Sequence, residues 1–244
     1  KAAPDGYTLM VYSSGLVSNK SLYKKLPYDT EKDFAPISNL VDNGGLFITV
    51  NPSVPAKTLQ ELIALAKKPD AHLAYSTPGV GNTWHVATEV FNHYAGTKLT
   101  HVPYKGGGLA AAALASGEVQ VMLSSPAPVM QYIKNGKARV LAYTAAKRSA
   151  ALPDVPTTAE AGLPSFQMDG GWFGMFAPAN TPAAIVDRLN REVRKVLADA
   201  AVVKRLHGLG VQPAPMSPEE FAKYLREEIA KYANYVRLAG VQLE

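Results

Sequence analysis

Short runs of apolar residues alternate with amphipathic stretches along almost the whole chain. The short runs predict strands over Tyr7–Tyr12, Phe47–Val50, Leu73–Ser76, Thr100–Val102, Val119–Leu123, Val140–Thr144 and Gly171–Phe176. The stretches with apolar residues three and four apart predict helices over Leu59–Lys67, Thr83–Tyr94, Leu109–Ser116, Pro128–Asn135, Pro182–Leu197, Ala201–Leu209 and Pro218–Ala239. Strands separated by helices of this size predict an α/β fold with mostly parallel sheets, because a parallel pair needs a crossover long enough to hold a helix. Lys1–Gly6 reads as the end of a helix and a turn.

The helix ends carry their own signals. Thr58 with Glu61, and Ser217 with Glu220, fit the capping box. Pro182 and Pro218 stand just inside their helices, where no amide is needed. Gly96, Gly117, Gly136 and Gly210 follow helices as left-handed caps would. Phe221, Leu225, Ile229 and Val236 form one face of the last helix, laid on a core.

Two segments read as crossings between lobes. Asn43–Pro55 holds two glycines, two prolines and one short strand; Ser149–Pro164 is rich in Pro, Thr and Ala. A middle segment bounded by two crossings is what an inserted lobe produces. The expected division is a discontinuous first lobe, residues 1–47 and 165–244, and an inserted second lobe, residues 48–164.

Composition narrows the picture. The chain has 244 residues, 47% hydrophobic and 18% charged, enough for sizeable cores. No run approaches the roughly 18 apolar residues of a spanning helix, so no membrane insertion is expected. Lys plus Arg total 25 against 20 Asp plus Glu, a net +5 spread without charge blocks, so no nucleic-acid partner is expected. There is no cysteine, which excludes thiolate chemistry, disulfides and Cys-type zinc sites.

The segment Ser76–Thr83 follows a strand and opens a helix. Gly79 and Gly81 let the backbone approach a ligand, the helix start leaves amides unpaired, and Ser76, Thr77, Asn82 and Thr83 add uncharged donors. Such a turn binds a carboxylate without arginine; equally, it is an ordinary turn capped by Asn82. The segment Val102–Gly108 has the same position, with Tyr104, Gly106 and Gly107 as candidates and Lys105 either a contact or a solvated loop residue. Ser13 and Ser14 end the first strand, where ligands of open α/β sheets gather. Trp172 and Phe173 either cover a ligand or, for one of them, fill a core.

Signatures of catalysis and metal binding mostly fail. Gly79 and Gly81 begin a dinucleotide fingerprint, but Trp84 stands where the third glycine belongs and no acidic residue stands out about 20 residues on. Ser21 and Lys24 match S-x-x-K without its companion motifs. His85, Glu89 and His93 share a helix face, but the outer two are about 12 Å apart in rise, too far for one metal. No catalytic residue, metal or cofactor is assigned.

Several motifs in order resemble a known family. They are Pro4–Leu9, Leu26–Asp29, Lys32–Pro36, Asn51–Ser53, Ser76–Asn82, Pro103–Gly107, Ala146–Arg148, Leu152–Thr157 and Glu160–Gly162. Across essentially the whole chain they are similar to the tripartite tricarboxylate transporter substrate-binding proteins, the Bug family. The resemblance implies a two-lobed periplasmic binding protein of type II, not an enzyme. It implies capture of a small di- or tricarboxylate or aromatic acid between the lobes, and delivery to a membrane permease. Members begin with an earlier strand, loop and helix, so the resemblance implies a first lobe lacking its N-terminal strand and helix. Many carry Asp where Ser124 stands, which weakens an amino-acid ligand here and favours a plain carboxylate. Trp84 either packs inside the lobe or lines the site. The rival readings are a nicotinamide-dependent oxidoreductase built on Gly79 and Gly81, and the effector-sensing domain of a regulator.

Overall fold

The computed structural model describes residues 2–243. These divide into two compact units. One comprises the chain up to Asp42, Gly171–Arg237 and the extreme C-terminus; the other comprises Asn43–Gly170 with Leu238–Val241.

The first unit holds β1 (Met10–Ser13), α1 (Gly15–Leu22) and β2 (Phe34–Asp42) before the crossing. The second holds β3 (Phe47–Val50), α2 (Leu59–Ala66), β4 (Ala74–Thr77), α3 (Thr83–Ala95), β5 (Thr100–Pro103), α4 (Gly107–Ser116), β6 (Val121–Ser124), α5 (Pro126–Lys134) and β7 (Arg139–Tyr143). The chain then completes the first unit with β8 (Trp172–Pro178), α6 (Ala183–Leu197), α7 (Ala200–Gly208), β9 (Gln212–Pro213) and α8 (Pro218–Ala239), of which Leu238 and Ala239 group with the second unit.

The fold is α/β, but its sheets are mixed, which corrects the expectation of mostly parallel ones. The first unit's sheet runs β1-β8-β2-β9, with every pair antiparallel. The second unit's sheet runs β5-β4-β6-β3-β7; only β5-β4 and β4-β6 are parallel. The physical reason is the same in both. β1 and β2 share a direction, as their helical crossover requires, but β8 runs between them the other way. β6 and β7 likewise share a direction, with β3 inserted between them. In each unit the strand laid down first after a crossing splits a parallel pair.

β2, α1 and β9 were not expected. Pro36 argues against a strand because it has no N–H to donate. It is tolerated because at that level β2 pairs with β8 alone, β9 reaching only Val41 and Asp42, and bulges follow at Pro36/Ser38 and Asn39/Val41. α1 begins at a glycine without a side-chain cap and is held instead by burial of Leu16, Val17 and Leu22. Of the opening segment, Lys1 lies outside the described residues, and the strand begins at Met10 rather than Tyr7.

The caps are largely as expected. Ser217 and Glu220 form a reciprocal box, at 2.8 and 3.2 Å. Thr58 caps Glu61 N–H at 3.2 Å, but the Glu61 carboxylate reaches back to the Lys57 amide rather than that of Thr58. On α8 the buried stripe is Phe221, Leu225, Glu228, Tyr232 and Val236; Ile229 is only half-buried. Glu228 takes the central place because its carboxylate accepts the Trp172 indole N–H at 2.9 Å and pairs with Lys231.

Candidate functional site

β5, β4 and β6 lie side by side and parallel, so the helices that follow them, α4, α3 and α5, all start at one edge of the second unit's sheet. Helix starts carry unpaired amides and partial positive charge. The three starts differ in what those amides do.

The turn into α3 is closed on itself. The Gly79 amide donates to Thr77 Oγ1 at 3.3 Å, the Gly81 amide to His85 Nδ1 at 3.1 Å, and the Asn82 amide to the Gly79 carbonyl at 3.3 Å. Asn82 caps its own helix by accepting from Trp84 N–H at 3.0 Å. Thr83 is buried as the first helical residue. The glycines of the would-be dinucleotide fingerprint therefore turn their amides on Thr77 and His85, not outward. Ser76 is also engaged internally: its hydroxyl donates to the Ala110 carbonyl of α4 at 2.9 Å and ties that helix to β4.

Two histidines lie beneath this turn. His101 on β5 places Nε2 2.6 Å from Thr77 Oγ1. His85 stacks on His101 with ring centroids 4.0 Å apart and planes at 14°, and His101 stacks on Tyr75 at 4.9 Å. Burial lowers the pKa of His85, and burial plus the neighbouring His85 lower that of His101 to about 4. Burial, then the hydrogen bond to Glu89, pushes the Tyr75 phenol upward. The cluster is thus neutral in its imidazoles near neutral pH. Sequence reading treated His85 only as a failed metal ligand and overlooked His101; the signals were the four-residue step from Gly81 to His85 and the register of His101 with Tyr75. His93, the third member of that helix face, is exposed.

The turn into α4 is open. Its N-cap is Gly106, with φ 114° and ψ 158°, a backbone that side-chain-bearing residues rarely adopt, and it provides no side-chain cap. The amides of Gly107, Gly108 and Leu109 have no hydrogen-bond partner among the described residues. A Cβ at Gly106 or Gly108 would meet nothing within 4 Å. The turn is pinned from below, as Tyr104 N–H donates to the Thr77 carbonyl at 2.9 Å and Gly106 N–H to the Pro78 carbonyl at 3.3 Å. Trp84 packs inside the unit: its ring would stand 2.9 Å from a Cβ at Gly107. The Tyr104 hydroxyl donates to Glu118 at 2.7 Å, beyond the far end of α4. Burial and that bond push its pKa up to about 12. Lys105 is exposed.

The start of α5 is poor in donors. Pro126 and Pro128 remove two of its first three amides. What this edge offers is Ser124, whose hydroxyl is buried and unpartnered at the end of β6. Counting on from the pairing of Tyr75 with Val121, it lies one residue beyond the level of Thr77.

The first unit's candidates fare differently. Ser13 is half-buried and accepts from Gly15 N–H at 3.3 Å. Ser14 is buried: its amide donates to the Trp172 carbonyl at 2.9 Å and its hydroxyl accepts from Tyr232 at 3.1 Å. Both fix the start of α1. Trp172 is core rather than ligand cover, being 1% exposed and packed edge-on against Phe221 at 5.5 Å. It is buried because its N–H has Glu228 as partner; the neighbouring Phe173 is the exposed one, at 42%.

The open start of α4 after β5 and the buried hydroxyl of Ser124 at the end of β6 thus stand at the same sheet edge, with β4 between their strands. The family model for the tripartite tricarboxylate transporter family receptor matches residues 1–241. The chain belongs to this receptor family. Among relatives of the receptor, BugT of Bordetella pertussis is 33% identical over 246 residues, an alignment covering all of this chain and 75% of BugT. Among solved structures, Rpa4515 of R. palustris with adipate superposes with a TM-score of 0.92 at 31% identity, covering 99% of this chain and 81% of that one. MatC of Rhodopseudomonas palustris with bound malate gives 0.89 at 33%, covering 96% and 81%.

Proposed function

We propose that this receptor is a periplasmic solute-binding protein that captures a small organic dicarboxylate and hands it to a membrane permease, without chemistry of its own. The observation that carries the reading is the open start of α4. Three consecutive amides, Gly107, Gly108 and Leu109, converge there without internal partners. A carboxylate accepts from such amides in charge-assisted bonds, and the helix dipole adds to them. The hydroxyl of Ser124 supplies a further donor that nothing in the fold uses. The similarity to structures holding adipate and malate supports a dicarboxylate over other anions. Serine rather than aspartate at Ser124 leaves no fixed negative charge there to attract an amine.

The permease and the compartment rest on the family. Among the described residues no helix is long and apolar enough to cross a membrane, which is compatible with a receptor that works beside a separate permease. Calorimetric titration of the purified protein with malate, adipate, a tricarboxylate and benzoate tests the reading. Saturable binding of at least one dicarboxylate is expected; failure of the whole set overturns it.

A further inference from the structure

We propose that His85 is the positioning residue of the ligand site: its unprotonated Nδ1 holds the Gly81 amide and so fixes the turn that supports the open start of α4. The proposal rests on the carboxylate-binding reading above. The chain of contacts is continuous. Gly81 N–H donates to His85 Nδ1 at 3.1 Å, which closes the Thr77–Asn82 turn. That turn presents the Pro78 carbonyl to Gly106 N–H and the Thr77 carbonyl to Tyr104 N–H. Those two bonds aim Gly106, and Gly106 directs the first amides of α4. Nothing caps α4 from its own side chains, so these bonds set its first residues while the Ser76 hydroxyl holds its body to β4 at Ala110.

The acceptor role demands one tautomer. A neutral His85 that accepts at Nδ1 carries its proton on Nε2. Protonating Nδ1 would set N–H against N–H and break the turn. The surroundings oppose that proton: His85 is buried, and His101 from β5 lies flat against it at 4.0 Å. The titratable groups around the pair are Tyr75 from β4 and Glu89 from α3 itself, joined to each other by a hydrogen bond. His101 holds the other end of the turn through Thr77, so the two rings act on one loop from one stack.

The test has an arm without ligand and an arm with it. In the ligand-free protein at neutral pH, imidazole nitrogen NMR is expected to show His85 with an unprotonated Nδ1. A protonated Nδ1 on neutral His85 overturns the proposal whatever the variants do. His85→Asn places Oδ1 where Nδ1 stood, and His85→Leu places no acceptor there. Exchange of the Gly81 amide is expected to rise about tenfold in His85→Leu and to stay within about threefold of wild type in His85→Asn. Malate and adipate affinities are expected to follow the same order, about tenfold weaker in His85→Leu and largely retained in His85→Asn. Equal losses in both variants, or unchanged Gly81 exchange in His85→Leu, overturn the assignment. If wild type binds none of malate, adipate, the tricarboxylate and benzoate, the carboxylate reading fails, and the nitrogen spectrum and Gly81 exchange still decide whether His85 holds the turn.

Discussion

Two turns of the second unit have the same construction and opposite outcomes. Each follows a parallel strand, contains two or more glycines and opens a helix at the same sheet edge. The turn into α3 contains its own acceptors, Thr77, Asn82 and His85, and its amides close on them. The turn into α4 contains Gly106, Gly107 and Gly108, has no side-chain acceptor, and leaves its amides open. Glycines make an approach possible, but the absence of a capping side chain decides whether donors remain for a ligand.

The comparison breaks most visibly with a misplaced charge. Gly108→Asp puts a carboxylate into open space at the start of α4. Binding of malate or adipate, read by calorimetry, is expected to weaken about a hundredfold or more, since the carboxylate both repels the ligand and occupies its amides. Val80→Asp adds the same charge to the other turn, at a residue 51% exposed. Its expected loss is below about tenfold, because solvent screens it and the turn has no open amide cluster. Equal losses would mean that the two turns contribute alike.

A smaller effect separates packing from binding. A Cβ at Gly107 would stand 2.9 Å from Trp84 Cη2 and 3.2 Å from Cζ3. Gly107→Ala is expected to cost about 1–2 kcal/mol, a fall in Tm of roughly 3–6 °C. Trp84→Leu in the same chain removes the clash, so the pair is expected to be less destabilising than the sum of the single changes in a double-mutant cycle. Simple additivity would show that Trp84 does not rest on Gly107.

Much of this was legible in the residues, with gaps that have causes. The α/β alternation and seven of the helices were readable from spacing, since most of them bury a periodic stripe, though α7 buries none of its residues. The order of strands was not, since β3 and β8 split pairs that are parallel by their crossovers, and sequence periodicity carries no partner information. β2 was hidden by Pro36, acceptable only because β9 is too short to need its amide. At the site, both turns were legible as turns. Their difference was legible too, in Asn82 against Gly106 at the cap position, but it needed weighing as a cap rather than as a ligand donor. Ser76 and Trp172 misled because their partners, Ala110 and Glu228, lie 34 and 56 positions away.

Ser124 sharpens the same comparison at the third helix start, where prolines remove two of the first three amides and a hydroxyl stands at the end of the preceding strand. A buried hydroxyl without a partner does not help the fold. Ser124→Ala is therefore expected to leave stability to urea unchanged or raised by up to about 1 kcal/mol, while dicarboxylate affinity falls about tenfold. A clear loss of stability would show that the hydroxyl serves the fold, and unchanged affinity would remove it from the site.

The smallest effect belongs to Tyr104, which sits in the open turn yet points out of it. Its hydroxyl donates to Glu118 at 2.7 Å on a largely solvated part of the surface. Bonds of this kind contribute little, because water replaces either partner. Tyr104→Phe keeps the ring against the core around α4 and deletes only that bond. Expected losses are below about 0.5 kcal/mol in stability and below about twofold in affinity. The reason is geometric: the turn's donors are backbone amides, and its one phenol faces the opposite end of the helix. A tenfold loss of dicarboxylate binding in Tyr104→Phe would mean that the phenol leaves Glu118 for the ligand, and that the open turn binds through a side chain after all.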